Sequence, residues 1–307
     1  MSDTLFARLC VNRYAAIKAN HPGEGRRKLK LRIAEEFFNL SQEDKKKAAQ
    51  DLPAFDPNVP YEFLSDGDPS DAISTQPPGE GIIVRTDYSD ADAWNTFCAE
   101  LVEVKNDLLS DSPEDAEPDA EGEEEDDHDA MDEDEDDEDD EDELQPSSSA
   151  NEAPFMFHIL SLGSPSDHSS ASSPITSNLS ALRLLNDVSL RAAPLPAFGS
   201  GIKRIKPPNR LIDHDGWQEI YLGKTIWVYD AQSNRDGCVR LVSQKSADAP
   251  YGTATGDSWR VRASHIPELQ LNIASGSIKI DFGGLDSWNY EERQRNLQEA
   301  TQPISRI

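Results

Sequence analysis

The chain has almost no cysteine: Cys10, Cys98 and Cys238 are widely spaced and odd in number among 307 residues. That excludes a disulfide framework and a paired metal-ligand motif, and it is the cysteine usage of a reducing compartment, the nucleus or the cytoplasm. No apolar run approaches the roughly 18 residues of a membrane span, and the opening "MSDTLFARLC" lacks the basic-then-apolar layout of a signal peptide. Neither secretion nor a membrane partner is expected, so the two "NLS" triplets at 39 and 178 match a glycosylation acceptor only formally. Phosphate-loop, G-x-G-x-x-G and G-x-S-x-G motifs are also missing, and with them the usual nucleotide and acyl-transfer signatures; no cofactor is implied. From Asp107 to Leu182 there is no Lys or Arg, while 27 of the 59 acidic residues lie there. Elsewhere 29 basic residues face the remaining 32 acidic ones, so the net charge of -30 belongs largely to one segment.

What is present reads as several pieces. Residues 4–50 are helical: Leu29, Ile33 and Phe37 recur at i, i+4 and i+8, "HPG" at 21–23 separates two helices, and Ser41 with Asp44 has the form of a capping box. "DLP" at 51–53 stops the third helix, and the Pro, Gly and Asp content of 53–80 reads as a linker. Ile82, Ile83 and Val84 then make a short buried strand; Asp87 and Ser89 suit a turn and N-cap, and Ala93, Trp94, Phe97, Cys98 and Leu101 have helical spacing. The 12 consecutive acids at 132–143 repel one another, and disorder is expected there. "FMFHILSL" reads as a strand, "SALRLLNDVSLRAA" fits strand or helix, and "TIWVYD" and "CVRLVSQ" flank a polar turn as in a hairpin. "SWRVRASHI" is a further strand and "NYEERQRNLQEA" a charged terminal helix. The expected core includes Ile82, Val84, Trp94, Phe97, Trp227, Val239 and Trp259.

Few residues suggest chemistry. Asp213, His214 and Asp215 in "DHDGW" could supply a metal ligand or a base, but Asp and His before Gly more often serve turns and caps. His265 and Glu268 could share a helical face, yet no third ligand is spaced to complete a site, so no metal and no catalytic residue is assigned. The basic residues Arg26, Arg27, Lys28, Lys30 and Arg32, with Lys203, Arg204 and Lys206 in "KRIKPPNR", could neutralise phosphates; a solvated mixed surface is the alternative.

Residues 6–49 resemble a high-mobility-group box, through "NR...IKANHPG", Phe37 where that family usually has Trp, and the "NLSQEDK" step. The third helix is cut at Pro53, so the resemblance implies a truncated three-helix module that meets duplex DNA, accompanied, as often in that family, by an acidic tract that competes with DNA or engages histones. "GIIVRTDYSDADAWNTFC" together with "SWRVRASHIPELQLNIASGSIKIDF" resembles a bacterial and fungal domain family without an assigned function. That implies one α+β domain over 81–288, interrupted by an acidic and Ser-rich insertion at 108–153, after a helical module at 1–52 and a linker at 53–80, with a charged tail at 289–307. One domain can carry such an insertion, since lengthening a loop from about 6 to about 46 residues costs roughly 1.8 kcal/mol of closure entropy. Two functions follow as expectations: a non-enzymatic nuclear protein associated with DNA or chromatin, or an interaction protein with an unknown protein partner.

Overall fold

The computed structural model describes residues 4–74, 80–110, 157–161, 175, 177–194, 208–242, 259–278 and 290–304. The expected α+β class is what it shows, with helices leading the chain. Helices α1 (Leu5–Asn20), α2 (Arg26–Asn39) and α3 (Gln42–Asp51) come first, the first capped by Thr4 and the third by Ser41, whose hydroxyl accepts from the Asp44 amide. Two single-turn helices, α4 (Glu62–Ser65) and α5 (Asp71–Ser74), precede strand β1 (Gly81–Arg85) and the long α6 (Ala91–Ser110). Then follow β2 (Phe157–Ser161), α7 (Asn178–Leu185), β3 (Asp187–Ala192), β4 (Trp217–Leu222) and β5 (Ile226–Tyr229). The one-turn α8 (Ser233–Asp236), β6 (Cys238–Val242), β7 (Trp259–Arg262), α9 (Ile266–Ser275) and α10 (Tyr290–Glu299) complete the order.

Five strands form one sheet in the order β2-β1-β5-β6-β7. The first three are parallel, while β6 and β7 add as antiparallel strands; β3 and β4 pair separately, antiparallel. Strands β1 and β5 are apolar without alternation because both faces of the sheet are covered. Ile82, Val84, Ile226 and Val228 face a core shared with α1, α2 and α7. Ile83, Trp227 and Tyr229 face the opposite core, with Phe97 and Leu101 of α6 and Ile266 of α9. Close packing constrains the strand edge too. A Cβ on Gly81 would stand 2.6 Å from the Phe157 ring and 2.9 Å from Gln270 Oε1, the oxygen that accepts from Trp227 Nε1.

Several findings differ from the sequence reading. Within 53–80, Phe55 and Phe63 are buried in the same core as α1, α2 and β3, so a segment that reads as linker is packed. Tyr61 stacks on Phe63 at 5.4 Å, and Asp68 receives the Arg27 side chain. The segment 180–193 holds both candidate elements in turn, helix to Leu185 and strand from Asp187. Of the expected core residues, Ile82, Val84, Phe97, Trp227 and Val239 are buried. Trp94 is only partly buried, and Trp259, at the start of the short edge strand β7, is 41% exposed. The N-cap of α6 is Asp90, whose carboxylate accepts from the Ala93 amide at 2.9 Å, while Asp87 and Ser89 form the turn before it. The acidic run 132–143 lies outside the described residues.

Candidate functional site

Strand β1 lies at the centre of the parallel set: the chain leaves it for β2 on one side and later returns to β5 on the other. Where strand order reverses in this way, the loops leaving the carboxyl ends of the two strands diverge and open a crevice, the usual ligand position in open α/β sheets. Here the loops are 85–90, which reads R-T-D-Y-S-D, and 230–234.

Each letter of the first loop has a physical task. The Arg85 guanidinium lies between the Tyr88 and Trp94 rings, at 4.6 and 4.5 Å. The Thr86 amide and hydroxyl both donate to the Tyr229 carbonyl, tying the ends of β1 and β5 together. Asp87 accepts from the Ser89 amide and hydroxyl and from Asn234 Nδ2 at 2.7 Å, which joins the two loops. Those Ser89 bonds hold the Asp87 carboxyl below its ordinary range. Across the crevice, burial pushes the Asp230 carboxyl up, but Arg260 at 3.0 Å and Arg240 at 2.7 Å outweigh it and the net shift is downward.

Between these loops and the start of α7 is a cavity of about 220 Å³ whose polar lining comes from Thr86, Ser177, Asp230, Gln232, Arg240 and Arg295. Arg240 is 7% exposed. Its terminal nitrogens pair with Asp230 and with Glu292 of α10, at 2.7 and 2.9 Å, and its Nε has no hydrogen-bond partner among the described residues. Chemically the site offers fixed charges and directed donors. Its carboxylates stay ionised, and burial pushes up the thiols of Cys98 and Cys238; that of Cys10, in the other core, rises to about 12 for the same reason. Such groups suit recognition better than proton transfer near neutral pH.

The basic residues of α2 singled out in the sequence are elsewhere and already engaged. Arg27 is buried and pairs with Asp68 at 2.6 Å, and Arg26 pairs with Asp71 at 2.8 Å. Lys30 reaches Asp187 on β3 at 3.3 Å, and Arg32 holds Glu24 at 2.6 Å. Lys28, with its side chain 40% exposed, stands 4.0 Å from Glu24. Lys203, Arg204 and Lys206 lie outside the described residues. In "DHDGW", Asp215 adopts φ 58° and Gly216 φ 91°, a tight turn into β4 that Asp and Gly tolerate. Buried Lys45 of α3 donates to His214 Nδ1 at 3.0 Å and to Asp215 at 2.9 Å. His265 precedes α9 and Glu268 lies in its first turn; among the described residues no group of three or more His, Cys, Asp and Glu could hold a metal ion. No helix among them is long and apolar enough to cross a membrane.

Sequence reasoning missed the crevice because strand order creates it. The available signal was polar residues directly after two wholly apolar strands. No protein-family model matches the chain, and no curated protein or solved structure matches it.

Proposed function

We propose that this chain is a non-catalytic binding protein that recognises its partner at the crevice beyond β1 and β5. The observation that carries this reading is the cavity at the reversal of strand order, walled by a buried arginine that is itself held in place by Asp230 and Glu292. Asp87 and Asp230, held as carboxylates by several donors, add fixed geometry rather than a proton store.

The pairing of α2 also supports this reading over binding of duplex DNA through that helix. To neutralise phosphates, Arg26, Arg27, Lys30 and Arg32 would first have to leave Asp71, Asp68, Asp187 and Glu24. Of these pairs Arg27–Asp68 is buried on both sides, and breaking such a pair costs about 3 to 5 kcal/mol. A nuclear address and a histone partner rest on the acidic tract and on residues 203–206, which lie outside the described residues. Electrophoretic mobility shift of the full chain on duplex DNA at about 50 mM salt tests the choice. No shift is expected. A salt-sensitive shift that Arg26→Gln with Lys28→Gln removes would replace this reading with the DNA-binding one.

A further inference from the structure

The C-terminal helix is docked unusually. Its buried members are Glu292, Arg293 and Asn296, all polar. A surface helix ordinarily docks through an apolar stripe; here a partly buried Leu297 and the following Ala300 and Ile304 supply the apolar contact. The carboxylate of Glu292, 1% exposed, is the centre of the contact. One oxygen accepts the Asn178 amide, the first of α7, at 2.6 Å. The other is ion-paired with Arg240 at 2.9 Å and accepts from Arg295 at 2.7 Å. Asn296 takes the next amide of α7 at 2.9 Å. Among the described residues neither polar atom of the buried Asn178 side chain has a hydrogen-bond partner.

These groups form a built receptor for a carboxylate: a helix N-terminus, where amide hydrogens and the helix dipole favour an anion, and a buried arginine. Arg240 reaches both Glu292 and the cavity that Arg295 lines, so the internal carboxylate and the cavity share one wall. We propose that this receptor takes a small carboxylic acid from outside the chain, its carboxylate replacing that of Glu292 and its short apolar part lying against Ile175, Val228 and Ala231, with α10 acting as the internal competitor that the ligand displaces. This inference rests on the crevice being the recognition site.

The test is chemical rescue in the full chain, with acetate as the probe and ionic strength held constant with chloride. Glu292→Ala empties the receptor without removing Asn178 or Arg240. Acetate should then stabilise this variant saturably, raising its folded-to-unfolded ratio about elevenfold at ten times the dissociation constant. The wild type should respond far less, and Arg240→Gln in the same background should abolish the rise. Equal responses in both chains, or no saturable response in Glu292→Ala, would overturn the proposal. If Glu292→Ala does not fold, the isosteric Glu292→Gln is examined by hydrogen exchange over 290–299. Acetate should speed exchange in α10 more in that variant than in the wild type, and unchanged protection would overturn displacement. Acetate rescue does not involve DNA, so failure here leaves the mobility-shift result standing, and a DNA shift leaves the rescue result standing.

Discussion

Lowering the pH should loosen α3, and one cluster sets where this happens. Lys45 is the sole buried residue of that helix, and its side chain, 1% exposed, points at His214 Nδ1 and Asp215 with the Phe38 ring 6.0 Å away. An ammonium group has only donors, so Nδ1 must accept and the imidazole is neutral with its hydrogen on Nε2. Burial holds the His214 pKa below its ordinary value, Lys45 adds to this, Asp215 opposes it and Arg210 contributes a little in the same direction as Lys45. The folded state therefore binds fewer protons than the unfolded state between the depressed pKa and the unfolded value of about 6.5. Stability from this site is fully present above about pH 6.5 and is lost as pH falls from there through the folded pKa. One proton separates the states, so the slope cannot exceed about 1.4 kcal/mol per pH unit. Urea unfolding of the wild type and His214→Gln at steps from pH 7.5 to 5.5 measures it. The glutamine oxygen can still accept from Lys45 but does not titrate, so the variant should be flatter, and the protection factors of α3 amides, corrected for the intrinsic pH dependence of exchange, should fall on acidification only in the wild type. Equal slopes in the two proteins would refute the reasoning.

Phe63→Ala should cost about 3 to 5 kcal/mol in urea unfolding, because the ring is fully buried between Tyr14 and Phe55; an unchanged midpoint would mean that residues 53–74 are a linker after all. Gly81→Ala should cost about 1 to 3 kcal/mol by overpacking against Phe157, and a thermal melt superimposable on the wild type would contradict the parallel register of β1 and β2.

What the sequence made legible was local. The Ser41 cap, the β5–β6 hairpin and the charged α10 each announce themselves within about ten residues, because capping groups, strand runs and turn residues are neighbours in the chain. Phe55 and Phe63 stand singly among Pro, Gly and Asp, so nothing near them signals a core, and only the groove left by α1 and α2 gives them one. The charges of α2 were misleading for a related reason. Arg27 and Lys30 look solvated until Asp68 and Asp187, 41 and 157 positions away, are brought against them. Trp259 carries a strong core signal, yet edge-strand placement decides its exposure, and no short window contains that information. The candidate site is the extreme case, since Thr86 after β1, Ser177 before α7, Arg240 of β6 and Arg295 of α10 come from four separate parts of the chain.

Glu35 of α2 accepts a hydrogen bond from the backbone amide of Ile304, 269 positions later, and that link has a consequence for how the chain is made. Synthesis runs from the first helix onward at about 5 to 20 residues per second, so α2 leaves the ribosome well before Asp187, Asp215 or Ile304 has been translated. The parallel strand β1 must likewise wait for β5 before its second edge is covered. Non-local pairings of this kind are slow to form because chain entropy is lost before contacts repay it. During that interval the apolar stripes of α1 and α2 are covered by one another and by Phe55, Tyr61 and Phe63, while the surface that α7, β3 and β5 later cover stays open, and exposed apolar surface of that kind is what makes folding intermediates prone to aggregate.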